Sequence, residues 1–509
     1  MIRCAVRHRP GLGPRIPPPF RAHRRQCLHT KVTFPGASTS DSHWLHDLDD
    51  SALQTHALPN DGIDVAVIGG GIAGFSTALH LHRLDPSLKI AVLDARATVA
   101  AGATGRNGGL LWANITANVS EDAAKFDSTE ARKRFEFDVA NVRAIAQFCE
   151  ETLQKTGFDA LLRRNEDAFQ TISLVSGGPQ NNMEVNTDPE TEVRTIRDDI
   201  KFLESQEMEI VTSEVDVADV RDATGCSFHS PFISEEHVVS ALQDEVSYMV
   251  NPARLTLAMA LEACTPDSTQ PVQFIPNCTI QSVQRPTSNS TDLFKLHTSQ
   301  GPLRTRKIIY ATNAWTSALL PHLPVVPIRN QVLVSTPLRE RREWAVSANA
   351  GFEYMSQRGE DGRVVVGGMR YLAPGMDVGV CVDAAATGNE KVRRGLEEYM
   401  LRVLDEEIVS VERAWSGVMG WTADGDPFVG SLEGIGECAK EEFVVAGFCG
   451  RGMSRCFLSG EAVAQLAAGN EVGDTFPTSY LVTKERAQAS VEGVGTRHKP
   501  PVKYEWLHN

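Results

Sequence analysis

Long apolar runs, CxxC motifs and an apolar N-terminal signal segment are all missing from this sequence. The longest apolar stretch, residues 65–79, is interrupted by glycines and is shorter than the roughly 18 to 20 residues that a membrane span needs. The ten cysteines include no CxxC pair, and the histidines show no metal-ligand spacing. We therefore expect no membrane span, no metal site, no disulfide framework and no secretion.

Positive charge is also scarce, except at the N-terminus. Lys and Arg number 50 against 65 Asp and Glu, a net charge of −15, which disfavours nucleic acid as a partner. Residues 1–31 instead contain seven arginines, one lysine and no acidic residue, as mitochondrial transit peptides do. Five prolines oppose the amphipathic helix of such peptides, and a tail without a targeting role is the alternative. We expect a cytoplasmic or mitochondrial protein.

The remaining composition is that of an ordinary globular protein. Hydrophobic residues make up 42% and charged residues 23% of the 509 residues. A chain of this length exceeds a single compact core, so two or three domains, or one interleaved pair, are expected.

A strand–helix–strand pattern occupies residues 63–94. Residues 63–68 are apolar and β-branched, residues 72–84 have helical spacing, and residues 89–93 form a second apolar segment. This order and length are those of a βαβ unit that binds a dinucleotide.

The turn of this unit carries a GxGxxG motif at Gly69, Gly71 and Gly74. The first glycine permits the tight turn, the second lets a pyrophosphate approach the backbone, and the third lets the helix pack on the strand. The helix N-terminus offers free N–H groups to the phosphate, and Asp94 can accept hydrogen bonds from the ribose hydroxyls. The motif predicts dinucleotide binding but leaves NAD and FAD both open.

Two further glycine-rich segments favour FAD. Residues 102–109, GATGRNGG, follow the second strand and offer backbone donors with little side-chain bulk; a flexible surface loop is the alternative. Gly447, Gly450 and Gly452 lie between an apolar strand and a helix, where N–H groups can face the electron-rich end of a flavin. An ordinary C-terminal helix with a glycine-rich start is the alternative there.

Together with four other blocks, these motifs resemble the FAD-dependent oxidoreductases of the D-amino acid oxidase (DAO) family, which includes glycine and sarcosine oxidases. The sequence is most similar to fungal members that carry only that general description and share a Trp-Leu pair like Trp44-Leu45 before the domain. The resemblance spans about residues 62–470. Its blocks are residues 251–263, 310–321, 326–334, 415–430 and 444–469.

The resemblance implies an α/β fold in which a Rossmann-like FAD-binding domain is interleaved with an α+β substrate domain built on a mixed, largely antiparallel sheet. We assign the FAD-binding domain to residues 62–164, 251–324 and 415–470, and the substrate domain to residues 165–250 and 325–414. Residues 1–60 and 471–509 are assigned to terminal tails, and residues 176–191 to a surface loop.

The resemblance also implies the chemistry. A hydride would pass from a carbon next to an amine nitrogen to flavin N5, and the resulting imine would hydrolyse. Oxygen or another acceptor would then reoxidise the flavin. One alternative is a different C–N or C–O oxidation on a secondary-metabolite intermediate, and another is a non-catalytic flavin-binding protein.

Non-covalent FAD is expected, because Arg106 and Gly417 stand where relatives carry the attaching His or Cys. Arg451 replaces the His of a Gly-His-Gly loop; a surface arginine is its alternative. Val283 takes the family's adenine position on a strand predicted over residues 279–283. The predicted cofactor-binding residues are Gly69, Gly70, Gly71, Ile72, Ala73, Gly74, Asp94, Ala95, Arg96, Thr104, Gly105, Arg106, Asn107, Gly108, Gly109, Val283, Ala311, Thr312, Asn313, Trp315, Gly447, Gly450, Arg451, Gly452 and Met453.

Three residues are candidates for the reaction on a small-molecule amine. Arg106 is the cation expected near flavin N5. Arg329 offers a guanidinium that matches a substrate carboxylate, with a structural role at the domain junction as its alternative. Tyr354 is expected in the aromatic wall of the substrate site.

Overall fold

A computed structural model provides the coordinates. It describes residues 32–35, 42–113, 119–165, 167–173, 189–209, 212–215, 217–224, 238–244, 246–265, 270–286, 293–348, 351–383, 388–404 and 409–488.

The strands are β1 (Ile63–Ile68), β2 (Ile90–Leu93), β3 (Leu110–Trp112), β4 (Arg163–Arg164), β5 (Asp167–Ser173), β6 (Thr212–Val215), β7 (Val238–Asp244), β8 (Ser247–Met249), β9 (Gln273–Ile275), β10 (Ile280–Gln284), β11 (Phe294–Thr298), β12 (Gly301–Tyr310), β13 (Val326–Ser335), β14 (Trp344–Ala348), β15 (Glu353–Gln357), β16 (Val364–Gly368), β17 (Val411–Trp421), β18 (Phe428–Ser431) and β19 (Glu442–Ala446). The α-helices are α1 (His43–His46), α2 (Ile72–Leu84), α3 (Val119–Lys125), α4 (Ser128–Thr156), α5 (Pro189–Ser205), α6 (Val217–Thr224), α7 (Pro252–Ala263), α8 (Thr316–Leu319), α9 (Glu390–Leu404), α10 (Cys456–Ala467) and α11 (Lys484–Gln488).

The first sheet has a parallel core in the order β9–β2–β1–β12–β19. In its centre, Val67 lies between Val92 and Ile309. These strands are continuous apolar runs because both faces of a parallel sheet are covered. Strand β12 also pairs antiparallel with β11, which continues to β10, and β18 pairs antiparallel with β19.

Helix α2 packs closely on this sheet and on α10. A Cβ added to Gly74 would lie 1.9 Å from the carbonyl oxygen of Gly69, so only glycine lets the helix approach the turn. At the helix–helix crossing, the Ser76 hydroxyl donates to the Phe457 carbonyl at 2.6 Å, and Gly460 leaves room for Ser76. The two glycines therefore fix the position of α2 relative to the sheet and to α10.

The second sheet has the order β17–β13–β16–β15–β14–β5–β7–β6, in which only β14 and β5 are parallel neighbours. Strands β13 and β17 pair along their full length, from Val326 opposite Trp421 to Ser335 opposite Val411. Helix α9 contributes Leu396 and other buried residues to the core on this sheet. A small third sheet, β3–β8–β4, completes the architecture.

The predicted fold class is confirmed: a Rossmann-like sheet is combined with a largely antiparallel second sheet. Strand β1 and helix α2 begin and end as the sequence predicted. The predicted boundary between residues 414 and 415 falls inside β17, because the pairing with β13 holds residues 415–421 in the second sheet.

Both segments assigned to tails contribute buried residues. Trp44 lies in α1 and is buried, and Tyr480 near α11 is fully buried. Residues 1–31 lie outside the described residues, as do residues 176–188 of the predicted surface loop. Residues 189–191 of that loop instead begin α5. Within the described part of the chain, no helix combines the length and apolarity needed to cross a membrane.

Candidate active site

A long cleft opens where the parallel strands of the first sheet end. Strands β1, β2, β12 and β19 run in the same direction, so their carboxyl ends meet at one edge, where open α/β sheets bind ligands. The cleft is lined by Phe34, Pro35, Ile68, Gly69, Gly70, Gly71, Ile72, Ala73, Leu93, Asp94, Ala95, Arg96, Gly102, Ala103, Thr104, Asn107, Cys278, Thr279, Ile280, Ala311, Thr312, Asn313, Trp315, Leu319, Met419, Val445, Phe448, Gly450, Gly452, Met453 and Cys456.

The turn after β1 forms a cradle that side chains would fill. Gly69 has φ +117°, a conformation that favours glycine, and a Cβ there would lie 2.5 Å from the Ala311 carbonyl oxygen. A Cβ on Gly71 would lie 2.9 Å from the hydroxyl of Thr104. Gly71 is the N-cap of α2 and provides no capping side chain. The positive end of the helix dipole is therefore directed at the cleft without an acidic residue in its first turn.

Asp94 is held at the floor of the cleft by backbone donors. Its carboxylate accepts from the Gly70 N–H at 2.7 Å and from the Arg96 N–H at 2.8 Å. Burial raises the pKa of Asp94, and these two hydrogen bonds oppose that rise. The carboxylate is thus fixed at the strand end that a ribose would reach.

A second loop, residues 447–453, reaches the cleft from the end of β19. The side-chain oxygen of Asn313 accepts from the Gly447 N–H at 3.1 Å and from the Phe448 N–H at 3.4 Å. From helix α4, the side chain of Asn141 donates to the Met453 carbonyl at 3.0 Å. Asn313 was a predicted site residue, whereas Asn141 carries no sequence signal because it comes from a distant helix.

The fold and the cleft match a known family along most of the chain. Residues 64–466 match the family described as FAD dependent oxidoreductase, DAO. The chain belongs to this family. FAD is therefore the cofactor, and the Gly69–Gly74 turn and Asp94 at the cleft suit its pyrophosphate and ribose.

Solved structures of similar proteins have the same fold. Glycine oxidase from Geobacillus kaustophilus superposes with a TM-score of 0.62 and 17% identity, over 83% of this chain and 98% of that one. For L-proline dehydrogenase from P. horikoshii the TM-score is 0.58 and the identity 16%, over 82% of this chain and 96% of that one. For L-amino acid deaminase from Proteus myxofaciens, in complex with anthranilate, the TM-score is 0.61 and the identity 14%, over 89% of this chain and 97% of that one.

One curated relative matches a shorter part of the sequence. L-2-hydroxyglutarate dehydrogenase from Indibacter alkaliphilus is 30% identical over 122 residues, which are 23% of this chain. The match spans only 28% of that relative's length. The predicted similarity to fungal members stays a prediction.

The residues around the cleft suit non-covalent FAD. Residues 106 and 417, the positions that the resemblance compares with flavin-attachment sites, are Arg and Gly, neither of which attaches a flavin as His or Cys does. Two thiols, Cys278 and Cys456, do line the cleft. Burial raises the pKa of both, so they remain neutral thiols, which are poor nucleophiles.

Most of the predicted cofactor-binding residues line the cleft, and eight of them do not. Gly74 and Gly105 support the backbone behind the lining, and the strand that carries Val283 contributes Ile280 instead. The predicted residues that do not line the cleft are Gly74, Gly105, Arg106, Gly108, Gly109, Val283, Gly447 and Arg451.

Arg106 is buried in a charged network between the domains. Its side chain donates to the Ala101 carbonyl at 2.9 Å and to the Ser416 carbonyl at 3.2 Å. It also pairs with Asp383 at 3.4 Å, and the same carboxylate pairs with Arg96 at 2.8 Å. The predicted position of its charge next to flavin N5 stays a prediction.

Arg329 lies in a buried ion pair, which is the structural alternative considered for it. Its Nε donates to Asp377 at 2.8 Å, and both side chains are less than a tenth exposed. The partner lies in a short 3-10 segment in which Met376 and Asp377 both have positive φ.

Tyr354 lies directly against the loop of residues 104–109. A Cβ added to Gly108 would lie 2.4 Å from its ring, and one added to Gly367 would lie 2.2 Å from its hydroxyl. Burial raises the pKa of Tyr354 well above its ordinary value, so the phenol is neutral. Tyr354 is not among the residues that line the cleft, and its predicted place in the aromatic wall of the substrate site stays a prediction.

Arg370 is a buried cation that the sequence analysis missed. Its guanidinium lies 4.4 Å from the ring centroid of Phe352 and 5.6 Å from that of Trp421. Trp421 in turn approaches Gly450, which lines the cleft. Among the described residues, Arg370 makes no hydrogen bond and no ion pair through its side chain, and its Nε is fully buried.

The charge of Arg370 is therefore poorly compensated. Burial lowers the pKa of Arg370 to about 10, and Glu353, beyond ion-pair distance, opposes this shift. No motif surrounds Arg370, so only the packing of three chain segments reveals it.

No group of three or more His, Cys, Asp or Glu in the described ranges is arranged to hold a metal ion.

Proposed function

We propose that the protein oxidises the C–N bond of an amine or amino acid that carries a carboxylate. The observation that carries this proposal is Arg370, a buried guanidinium with no ion-pair partner among the described residues, which Trp421 separates from Gly450 in the cleft lining. A buried charge of this kind costs free energy until an opposite charge pairs with it. A carboxylate matches the guanidinium fork with two parallel hydrogen bonds.

We assign Tyr354 and Trp421, which lie behind the residues that line the cleft, to the substrate side. Both are aromatic, Tyr354 packs on the cofactor loop, and Trp421 packs on the loop that contains Gly450. Such walls hold a small molecule close to the cofactor and exclude water. Three structurally similar proteins are named as glycine oxidase, L-proline dehydrogenase and L-amino acid deaminase, which agrees with an amino-acid substrate.

Bound FAD would supply the acceptor, flavin N5, for the hydride that leaves the substrate carbon. The nitrogen lone pair then forms the C=N bond, so the amine must reach the site in its neutral form. Water hydrolyses the imine to a carbonyl compound and a free amine or ammonia. Oxygen or another acceptor takes up the two electrons in the second half-reaction.

Oxidation of a 2-hydroxy acid is a second candidate function. The match to L-2-hydroxyglutarate dehydrogenase favours it, although it spans only 28% of that protein. A 2-hydroxy acid has the same carboxylate next to the reacting carbon, so Arg370 suits both classes. A secondary-metabolite intermediate that carries an amine or a hydroxyl group would be oxidised at its C–N or C–O bond in the same way.

Anaerobic reduction of the bound flavin tests these proposals. The purified protein is mixed with matched sets of compounds that share one carbon skeleton: an amino acid, its 2-hydroxy acid and its decarboxylated amine. Loss of the flavin absorbance with the amino acid alone supports the proposal, and loss with the hydroxy acid alone supports the second candidate. Reduction by the decarboxylated amine at the same rate contradicts a role for the carboxylate, and no reduction by any compound indicates a non-catalytic protein.

A mitochondrial location is proposed on the charge of residues 1–31. A fluorescent fusion of the full chain is compared with one that lacks these residues. Mitochondrial signal from the full chain alone supports targeting. Cytoplasmic signal from both fusions contradicts it.

A further inference from the structure

Residues 42–46, the N-terminal clamp, pack on residues 104–109, the cofactor loop. Ser42 and Trp44 are buried, although they precede the residues that match the family. A Cβ added to Gly105 would lie 2.9 Å from the Leu45 side chain, and one added to Gly109 would lie 2.9 Å from the Trp44 ring. The glycines of the cofactor loop thus make room for the clamp.

The clamp binds carbonyl oxygens of the cofactor loop. The Ser42 hydroxyl donates to the Gly105 carbonyl at 2.5 Å, and the Trp44 indole N–H donates to the Asn107 carbonyl at 2.6 Å. Between these two bonds, the indole N–H of Trp415 donates to the Arg106 carbonyl at 2.9 Å. Three successive carbonyls of the loop are therefore held by side chains from outside it.

This arrangement also fixes the N–H groups of the loop. In a trans peptide the N–H points away from the preceding carbonyl, and the described residues contain no cis peptide. The Arg106 N–H donates to the Ala103 carbonyl. The N–H groups of Asn107 and Gly108 have no partner among the described residues, and Asn107 lines the cleft.

We propose that the N-terminal clamp positions the cofactor loop, so that Asn107, the loop residue that Trp44 binds and that lines the cleft, is held where it binds FAD. Ser42 and Trp44 are thus positioning residues that act through the loop. The inference rests on FAD binding in the cleft, and it does not depend on which substrate is oxidised. N–H donors at this place would also favour reduced flavin, which carries more negative charge than oxidised flavin.

The packing around Trp44 allows the hydrogen bond to be tested separately from the ring. Trp44 lies in a core cluster with Val332 and Trp415, and the Arg358 guanidinium lies 5.0 Å from the centre of its ring. The substitution Trp44→Phe keeps an aromatic ring in this cluster and removes only the N–H donor and part of the indole.

Trp344→Phe is the matched control. Trp344 is equally buried, and its indole N–H donates to the side chain of Gln357 at 3.0 Å. That hydrogen bond lies within the second sheet and does not involve the cofactor loop. Both substitutions therefore remove one buried indole hydrogen bond, but only one of them affects the loop.

The FAD dissociation constant of each full-length protein is measured by titrating the apoprotein with FAD, and the flavin reduction potential is measured on the holoprotein. We expect Trp44→Phe to weaken FAD binding by about fivefold to tenfold, the equivalent of one hydrogen bond, and to lower the potential. Trp344→Phe should lower the melting temperature without changing either quantity.

An unchanged FAD affinity and potential in Trp44→Phe, or equal changes in the control, would overturn the inference. If Trp44→Phe does not fold, the FAD affinity and reduction potential of Ser42→Ala test the inference instead, because this substitution removes only the hydroxyl that binds the Gly105 carbonyl. A wild-type protein that binds no FAD would contradict the cofactor assignment itself, and a wild-type protein that binds FAD but oxidises no substrate would leave this test intact.

Discussion

At the scale of single residues, the partners of each arginine separate structural from functional roles. Arg329 has a buried carboxylate partner, whereas Arg370 has none at ion-pair distance among the described residues. The sequence left a substrate-binding and a structural role open for Arg329, and it drew no attention to Arg370.

Replacing each arginine by methionine should therefore give opposite results. Arg370→Met should raise KM for a carboxylate substrate by about 10- to 100-fold, since a charge-assisted pair is lost. Arg329→Met should lower the free energy of unfolding by about 3 to 5 kcal/mol, because it leaves the buried Asp377 without this partner. Steady-state kinetics and thermal unfolding distinguish the two outcomes.

If Arg370→Met lowers the melting temperature as much as Arg329→Met and leaves KM unchanged, Arg370 has a structural role and the carboxylate proposal is wrong. Arg370→Lys is the conservative control. It keeps the positive charge but not the planar fork, so its KM should lie between those of the wild type and Arg370→Met.

His43 in the clamp should make stability depend on pH. Burial and the charge of Arg358 lower the pKa of His43 to about 4, while the carboxylate of Asp361 opposes this shift. Arg363 lowers the pKa further and Asp47 raises it, both more weakly. The unfolded chain then binds the proton at higher pH than the folded one. The contribution of His43 to stability is full above about pH 6.5 and is lost as the pH falls towards 4.

We expect the free energy of unfolding to fall by up to about 1.4 kcal/mol per pH unit in this window through His43 alone. His43→Gln should flatten this part of the curve, measured by urea unfolding between pH 4 and 7. His46→Gln is the control, because His46 is on the same helix and exposed. Identical slopes in all three proteins would contradict the assignment.

At the scale of elements, the βαβ unit depends on one close contact between its turn and its helix. The contact point is Gly74, whose added Cβ would lie 1.9 Å from a backbone oxygen that cannot move aside cheaply. We expect Gly74→Ala to displace α2, to lower the melting temperature by several degrees and to abolish FAD retention.

Gly473→Ala is the matched control for this substitution. Its added methyl group would meet only the Thr475 hydroxyl at 3.9 Å, an ordinary contact distance. Both proteins are purified in parallel, and their flavin content and melting temperature are compared. Full flavin content in Gly74→Ala would show that the helix can shift without loss of the cofactor site.

At the scale of the whole molecule, Asp383 joins segments of the chain that the sequence analysis assigned to different domains. It pairs with Arg96, which follows Asp94 in the FAD-binding domain, and with Arg106 of the cofactor loop. Asp383→Asn removes the charge that the two buried guanidinium groups share. We expect a lower melting temperature and weaker FAD binding, because an uncompensated buried charge destabilises the domain junction.

Glu412→Gln serves as the control for this prediction. Its ion pair with Arg363 at 2.9 Å is partly exposed and lies within the second sheet, so its loss should cost about 0 to 1 kcal/mol. Thermal unfolding and FAD titration of the two variants are compared. Equal effects would mean that Asp383 contributes no more than a surface pair.

The sequence alone determined the local elements and the cofactor. Strand β1, helix α2 and the glycine spacing between them were predictable because local periodicity and backbone sterics fix them within one βαβ unit. The second glycine loop was predictable for the same reason, since a strand, a turn and a helix follow one another in the chain.

Only the tertiary structure decided which charges are paired and which segments are buried. Asp377 lies 48 residues beyond Arg329, and Trp44 binds a carbonyl 63 residues away, so no local pattern reports either contact. The same is true of Arg370, whose ring contacts are Phe352, just before β15, and Trp421 at the end of β17. Backbone preferences act between neighbours in sequence, whereas burial and ion pairing depend on neighbours in space, which the fold alone brings together.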